Sequence, residues 1–357
     1  MQSEVHRAWI EVDVGAIRRN AETLMRRSGA RLLPMVKADA YGLGVGPALR
    51  ALEPIDPWGY GVATVAEGEE LRALGITRPV VVFTPVLLAE HDRALAARLT
   101  LALGDPESIR AWARAGGEWH LAVDTGMARA GLDWRELSRI RELIAGHQPS
   151  GVFTHFHSAE TSARSLAEQE MRFEQALASM TAVPQLVHTD NSAAIVRRGR
   201  SKLPVVRPGI FLFGAGRWDG APLQPEPVVS VRARIVDIRD AVPGDTVSYG
   251  ATHQVSRRAR VATVAYGHAD GYPIAMSGHG VALLHGSTVP VMGRVTMDMT
   301  ILDVTGVSCA RGDVVTFIGT DGDASLSVDD VAAGASVSPY ELLVRMRNRI
   351  PRVYSGG

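Results

Sequence analysis

The sequence predicts an α/β protein in two parts, an N-terminal (β/α)8 barrel followed by a mostly β C-terminal domain. Three observations predict it. From about residue 10 to 215, short apolar runs alternate with stretches of helical periodicity, the pattern of parallel strands joined by crossover helices. Residues 216–230, GRWDGAPLQPEPVVS, gather glycine and proline and break both periodicities, as an inter-domain linker does. Beyond it come short β-branched runs separated by Gly, Pro or Asp, which read as strands and tight turns.

Taken in order, eight runs of the first part qualify as strands: RLLPMV, WGYGV, PVVVF, TLAL, WHLAV, GVFTH, QLVH and PVVR. The helices predicted between them include GAIRRNAETLMRR, TVAEGEELRAL, PESIRAWARA, WRELSRIRELI and AEQEMRFEQALASM, each with an apolar stripe and a charged face. Eight strands favour a barrel over an open doubly wound sheet, because no glycine-rich dinucleotide fingerprint follows an early strand. In the second part the strand candidates are VSVRARIVDI, RARVATVAY, GVALLHG, VPVMGRV, MTILDV and DVVTFI, and PYELLVRMRNR returns to helical spacing.

Bulk properties narrow the function. A chain of 357 residues, 46% of them hydrophobic, buries one large core or two modest ones, and its length favours two domains. Lys plus Arg equal Asp plus Glu at 38 each, so no net field draws the molecule to nucleic acid or anionic lipid, and a charged ligand must be held locally. The single cysteine, Cys309, excludes a disulfide framework and a cysteine-rich metal site within one chain. The N-terminal residues carry scattered charges without a signal-peptide core, and no apolar run is long enough to cross a bilayer. The expectation is a cytoplasmic, soluble protein.

In a barrel, side chains just past the C-terminal strand ends converge on one face. Here these are Lys37 and Tyr41, Asp124 to Arg129, His155 and His157, His188 to Ser192, and Arg207 to Ile210. A lysine closing the apolar run LLPMV has its amine pKa lowered by partial burial or a nearby cation, and a neutral amine can form a Schiff base. On position alone, a solvated loop lysine is the commoner case. Ser192 opens a helix in DNSAAIV, either as an anion site of backbone N–H groups or as an ordinary cap. Gly209, after Arg207 and Pro208, lets amides approach a phosphate, while Arg207 is either part of that site or a structural ion-pair partner. The histidines at 155, 157 and 188 lack a carboxylate or cysteine at matching spacing, which favours hydrogen bonding over metal ligation.

Together these segments resemble bacterial alanine racemases, from HRAWIEVD near the N-terminus to RIPRVY near the C-terminus. The resemblance implies a pyridoxal 5'-phosphate enzyme that racemises a small amino acid, by default L-alanine to D-alanine, taking the α-proton from an external aldimine and returning it on the opposite face. PMVKADAYGLG resembles the cofactor-lysine motif, which implies that Lys37 forms the internal aldimine and serves as one base, with Tyr41 on the phosphate. DTGMARAG implies Arg129 beside the cofactor's phenolic oxygen and the substrate carboxylate, and THFHSAE implies His155 beside the pyridine ring. HTDNSAA and VRPGI imply Ser192 and the Gly209 and Ile210 amides on the phosphate and Arg207 on the ring nitrogen. GRVTMDM is similar to the segment whose Met297 and Asp298 border the substrate, and SPYELL to the one whose Tyr340 reaches the phosphate. An arginine at the ring nitrogen donates and leaves that nitrogen without its own proton, which limits charge withdrawal and favours prompt reprotonation over side reactions.

The same resemblance implies a homodimer in which the β domain of one chain closes the barrel mouth of the other. The domains are then residues 1–220, a cofactor-binding barrel whose first ten or so residues pair with the other domain, and 221–357. Two positions depart from the family. Ala122 stands where many members carry a carbamylated lysine, so an anion or water must support Arg129 instead. The segment AYGHADGYP has His268 at the place of the family's second base, with Tyr266 two residues earlier. If the strand alternates strictly, both face one way; motif register and pKa favour His268. A racemase of another amino acid, a lyase or decarboxylase on this fold, and a non-enzymic cofactor carrier are the other readings, the last disfavoured because carriage does not need GRVTMDM or PYELL.

Overall fold

The computed structural model describes residues 6–218, 220–346 and 348–357. The expectations touching residues 1–5, Asp219 of the linker and Arg347 of PYELLVRMRNR lie outside the described residues. All eight expected barrel strands form, at Arg31–Leu32, Tyr60–Val62, Val80–Val82, Thr100–Leu103, Trp119–Asp124, Gly151–Phe153, Leu186–His188 and Val205–Val206. Neighbours from the second to the seventh pair in parallel in chain order. The eighth pairs in parallel with the first, and the bridges Met35 to Gly61 and Asn191 to Arg207 join the remaining gaps, so the sheet closes. Their near-continuous apolar character follows from being covered on both faces.

Local chemistry sets the helix limits. Asp13 accepts from Ala16 N to start the helix Val14–Ser28, and Gly29 at φ 67° ends it. Thr64 and Glu67 form a reciprocal capping box on the helix Val65–Ala73. The run WRELSRIRELI is helical only in part, as a 3-10 turn Leu137–Ile140 and a short α-helix Arg141–Gly146. Leu137 and Ile144 alone are buried in those two pieces, so little tertiary packing opposes fraying. The expected helix PYELLVRMRNR stops at Val344.

The second sheet is built on a spine strand, Val229–Ala241. It pairs antiparallel with Ala259–Val264 and with Val314–Asp321, shifting register between Ile235 and Asp237 and between Val231 and Arg232. Such irregularities sharpen twist and let one strand serve two sheet faces. Ala8–Asp13 joins this sheet, antiparallel to the spine and parallel to Arg352–Ser355. The core is continuous across the two parts, running from Ile10 and Ile17 to Val229 and Val231. Among the described residues no helix is long and apolar enough to cross a membrane.

Candidate active site

A cavity of about 580 Å³ opens at the C-terminal ends of the barrel strands, lined by Lys37, Tyr41, Arg129, His155, Ser192, Arg207, Gly209, Ile210 and Tyr340 among others. That size suits a cofactor with a small substrate. Lys37 follows Val36, whose N–H is held by Gly61 O at 2.9 Å. The next four residues, Ala38, Asp39, Ala40 and Tyr41, all have φ between 52° and 57°, forming one left-handed turn of non-glycine residues. Each is disfavoured by roughly 1–2 kcal/mol. The turn brings Tyr41 back over the cavity, where its ring stacks on Phe213 at 4.7 Å and lies 6.0 Å from Tyr340. Burial pushes the Tyr41 phenol up, so it stays protonated and able to donate.

Burial lowers the Lys37 amine below the ordinary lysine range, Arg129 lowers it further, and Glu67 opposes both. A larger neutral fraction makes the amine a better nucleophile and base near neutral pH. Opposite it, Arg207 is 3% exposed. Its NH1 donates to His188 Nδ1 at 2.7 Å, and its NH2 donates to Thr154 O at 2.7 Å and Thr189 O at 3.1 Å; NH1 also donates to His188 O. Four of its five N–H groups are therefore engaged, leaving the Nε–H as the donor for a ligand. Burial lowers this guanidinium to about 9 against the pull of Asp190, which leaves it charged at neutral pH. Because Arg207 only donates, His188 accepts at Nδ1, carries its proton on Nε2 and gives it to His120 Nδ1 at 3.0 Å. His155 lines the cavity and is half-buried; desolvation first, then Arg207, Arg129 and Lys37, hold it down to about 3, so it is neutral.

The residues for a phosphate gather at the other end. Asn191, not Ser192, caps the helix Ser192–Arg198, accepting from Ala194 N at 3.0 Å. The Ser192 hydroxyl is thus free to accept from Gly209 N at 2.9 Å, with its own proton left for a ligand. A Cβ on Gly209 would lie 2.4 Å from Tyr41 Oη, so the glycine is what lets the phenol sit over this cradle. Ile210 starts the 3-10 turn Ile210–Phe213, whose leading amides have no partner within the turn. Tyr340, near the start of the helix Pro339–Val344, completes the ring of donors; burial, with Glu160 and Asp329, pushes its phenol up to about 12. Among the described residues the one carboxylate lining the cavity, Asp124, accepts from Gly126 N at 2.8 Å and Met127 N at 2.9 Å. Asp124 is thus held by the backbone rather than by Lys37, Arg129 or Arg207, which leaves these three cations facing the cavity for a phosphate and a carboxylate. Ala122 lines the cavity too, packed with Ala102 and Phe153 near Phe83.

Other candidates fall elsewhere. His157 is at the surface with Ser158 and Ser165, and His188 is in the buried Arg207 network. Tyr266 corrects the alternation argument: its strand ends at Val264. Tyr266 is 2% exposed and packs on Phe317 at 4.9 Å and Tyr272 at 5.5 Å, in the core rather than at a cavity. His268 lies in the turn that follows. His268 N donates to Thr296 O and Ala269 N to Met297 O, both at 2.9 Å, so the loops carrying His268 and Met297 with Asp298 are zipped into one unit. None of these three lines the cavity of its own chain, and Met297 is 56% exposed. Asp124 and Asn191 fall within the strand-end stretches expected from sequence, whereas Glu67 was not singled out; Thr64-x-x-Glu67 was its visible signal, a capping-box spacing.

The sequence matches the family model of the alanine racemase N-terminal domain over residues 12–216 and that of the alanine racemase C-terminal domain over residues 228–354. It is 36% identical to an alanine racemase of Symbiobacterium thermophilum over 366 residues, covering 98% of this chain and 97% of that protein. The structure is similar to that of alanine racemase from E. faecalis, with a TM-score of 0.92 and 26% identity over 99% of both chains. It is also similar to that of alanine racemase from Bartonella henselae with covalently bound pyridoxal phosphate, with a TM-score of 0.91 and 26% identity over 98% of this chain and 99% of that one.

Proposed function

The chain belongs to the alanine racemase family, and from that premise we propose how its residues share the work. It is a pyridoxal phosphate-dependent racemase that interconverts L- and D-alanine; the lyase and carrier readings are not favoured. The observation that carries the residue assignment is the pairing, across one cavity, of a half-buried Lys37 of lowered basicity with a buried Arg207 that keeps one N–H in reserve.

When bound, pyridoxal phosphate supplies an electron sink that makes the substrate's α-hydrogen acidic. Lys37 would hold it covalently, while Tyr41, Ser192, Tyr340 and the Ile210 amide would bind its phosphate, joined by the Gly209 amide once the phosphate replaces the Ser192 hydroxyl as its acceptor. The Arg207 Nε–H would donate to the ring nitrogen and keep a proton off it, with neutral His155 packed beside the ring. Arg129, exposed on its loop, would take the substrate carboxylate. Lys37 Nζ then moves the α-proton on one face and His268 on the other, with Met297 and Asp298 bordering the substrate.

Because His268, Met297 and Asp298 do not line their own chain's cavity, a second copy brings them in a homodimer. The division into residues 1–220 and 221–357 and a cytoplasmic setting, supported by a single cysteine, complete this reading. Two measurements test it. Incubation with a panel of amino acids in heavy water should give α-deuterium and both enantiomers with alanine; a cleavage or decarboxylation product without inversion would overturn it. Borohydride reduction and peptide mapping should put the pyridoxyl label on Lys37, and a label only on Lys202, the other lysine of the chain, would remove Lys37 from its role.

A further inference from the structure

We propose that Glu67 is a positioning residue for Lys37, its carboxylate holding the left-handed turn that aims the amine into the cavity. A run of left-handed non-glycine residues persists only where the surroundings over-determine it, and here the first of the four is held from outside the turn. Ala38 N donates to Glu67 Oε1 at 2.8 Å. The other oxygen, Oε2, accepts from Ala63 N at 2.7 Å and Thr64 N at 3.2 Å. Inside the turn, Asp39 Oδ1 accepts from Val45 N at 2.7 Å and Asp39 O from Gly44 N at 2.9 Å. These fix its far end.

Glu67 therefore does two things with one group. It completes the capping box of the helix Val65–Ala73, a purely local matter, and it reaches across to the loop after the preceding barrel strand, 29 residues away in sequence. The loops leaving the first two barrel strands are locked together at the residue next to Lys37. All three partners are N–H donors, so the site calls for a carboxylate. A glutamine there turns its amide NH2 against either Ala38 or the Ala63 and Thr64 pair. Its negative charge also favours the ammonium form of Lys37, against burial and Arg129.

The proposal rests on the reading that Lys37 holds the cofactor, and the test separates the two. The full chain is resolved of its cofactor, and two quantities are measured: hydrogen exchange of the segment 38–45, and the rate of pyridoxal phosphate uptake against pH. In Glu67→Gln, exchange should rise about tenfold, as for loss of a hydrogen bond to a charged group, and the uptake midpoint should move to lower pH because the ammonium has lost a stabilising charge. Thr64→Ala removes the cap and leaves the carboxylate; it should lower the melting temperature without moving either quantity. Glu67→Asp, which keeps the charge but draws it back from Ala38, should raise exchange and leave the midpoint near that of the parent, and it stands in if Glu67→Gln does not fold. Uptake unaltered in Lys37→Ala overturns the reading of Lys37 and this proposal with it. Uptake lost there, with the Glu67 variants matching the parent in exchange, overturns this proposal alone, as does Thr64→Ala reproducing the Glu67→Gln changes in both quantities.

Discussion

In the proposed assignment His268 is the proton donor of the second face, an imidazole whose two ring nitrogens can between them donate and accept. Tyr266 has no such access, since it is packed among Tyr272 and Phe317 and burial pushes its phenol up. His268→Gln should abolish inversion while leaving α-proton exchange with retention through Lys37, whereas Tyr266→Phe should keep both. Both are followed by single-enantiomer exchange in heavy water, and unimpaired racemisation by His268→Gln would reject the assignment. The buried histidines make a second prediction. His120 and His155 are each lowered to about 3, in both cases first by burial and then by Arg207, and His188 well below its usual value by burial, Arg207 and His120. Unfolded, each titrates near 6.5. As pH falls below that value the unfolded chain takes up protons that the folded chain refuses. Folded stability is therefore fully present above about pH 6.5 and is lost on acidification. The slope approaches about 1.4 kcal/mol per pH unit for each such histidine. His120→Asn, whose amide oxygen replaces the Nδ1 acceptor, should flatten the fall of the urea midpoint between pH 6 and 4 by close to one proton's worth. An unchanged slope would mean that His120 does not titrate differently in the two states.

The left-handed turn after Lys37 is the element that sequence reasoning had no means to see. Of the four residues only Asp39 is of a type enriched at positive φ, and Ala38, Ala40 and Tyr41 are not, so a run of four is imposed by tertiary contacts. Ala38 is exposed with φ 53°, so Ala38→Gly relieves the Cβ penalty at the cost of a more disordered unfolded chain. The net should be a gain of about 0.5–1 kcal/mol. The same change at Ala113, inside the helix Pro106–Ala115, should cost about 1 kcal/mol. Urea midpoints of the two variants decide it, and a loss at Ala38 equal to that at Ala113 would show that the turn is not strained. Elsewhere the elements were legible where packing and pattern agree, as in the valine-rich strand Val80–Val82, buried throughout. The helix Val45–Leu52 escaped notice because Gly44, Gly46 and Pro47 blur its start. That Lys37 and Arg207 share one cavity was readable from their place at strand ends, which barrel geometry brings together, but position alone favoured a solvated lysine and left Arg207 open, and their roles came through the family resemblance. Met297 and Asp298 came only through family resemblance, because no pattern within one chain says which surface loop will meet another chain's cavity. The choice between Tyr266 and His268 turned on where a strand stops, the least readable feature of a β sequence.

For the whole molecule, the question is how a cavity missing three of its expected residues becomes complete. The β sheet of each chain presents His268, Met297 and Asp298 on two interlocked loops, with Ile274, Met297 and Met299 exposed nearby in sequence, and its barrel presents a cavity that these loops do not enter. The proposed two-fold dimer would satisfy both needs with one isologous interface, each chain supplying the loops that the other's cavity would take. Complementation distinguishes this from a site made within one chain. Lys37→Ala and Asp298→Ala chains are each expected to be inactive as homodimers. After subunit exchange at equal concentrations, half of the dimers pair one chain of each kind. In every such dimer one site carries both substitutions and the other carries neither. One site in four is then intact, so activity should recover to about a quarter of the parent's per chain. If Lys37 and Asp298 served the same site from the same chain, every site in every dimer would carry a substitution and no recovery would follow. Failure to recover, with exchange shown independently by differently tagged chains and with Asp298→Ala still dimeric, would refute the shared site.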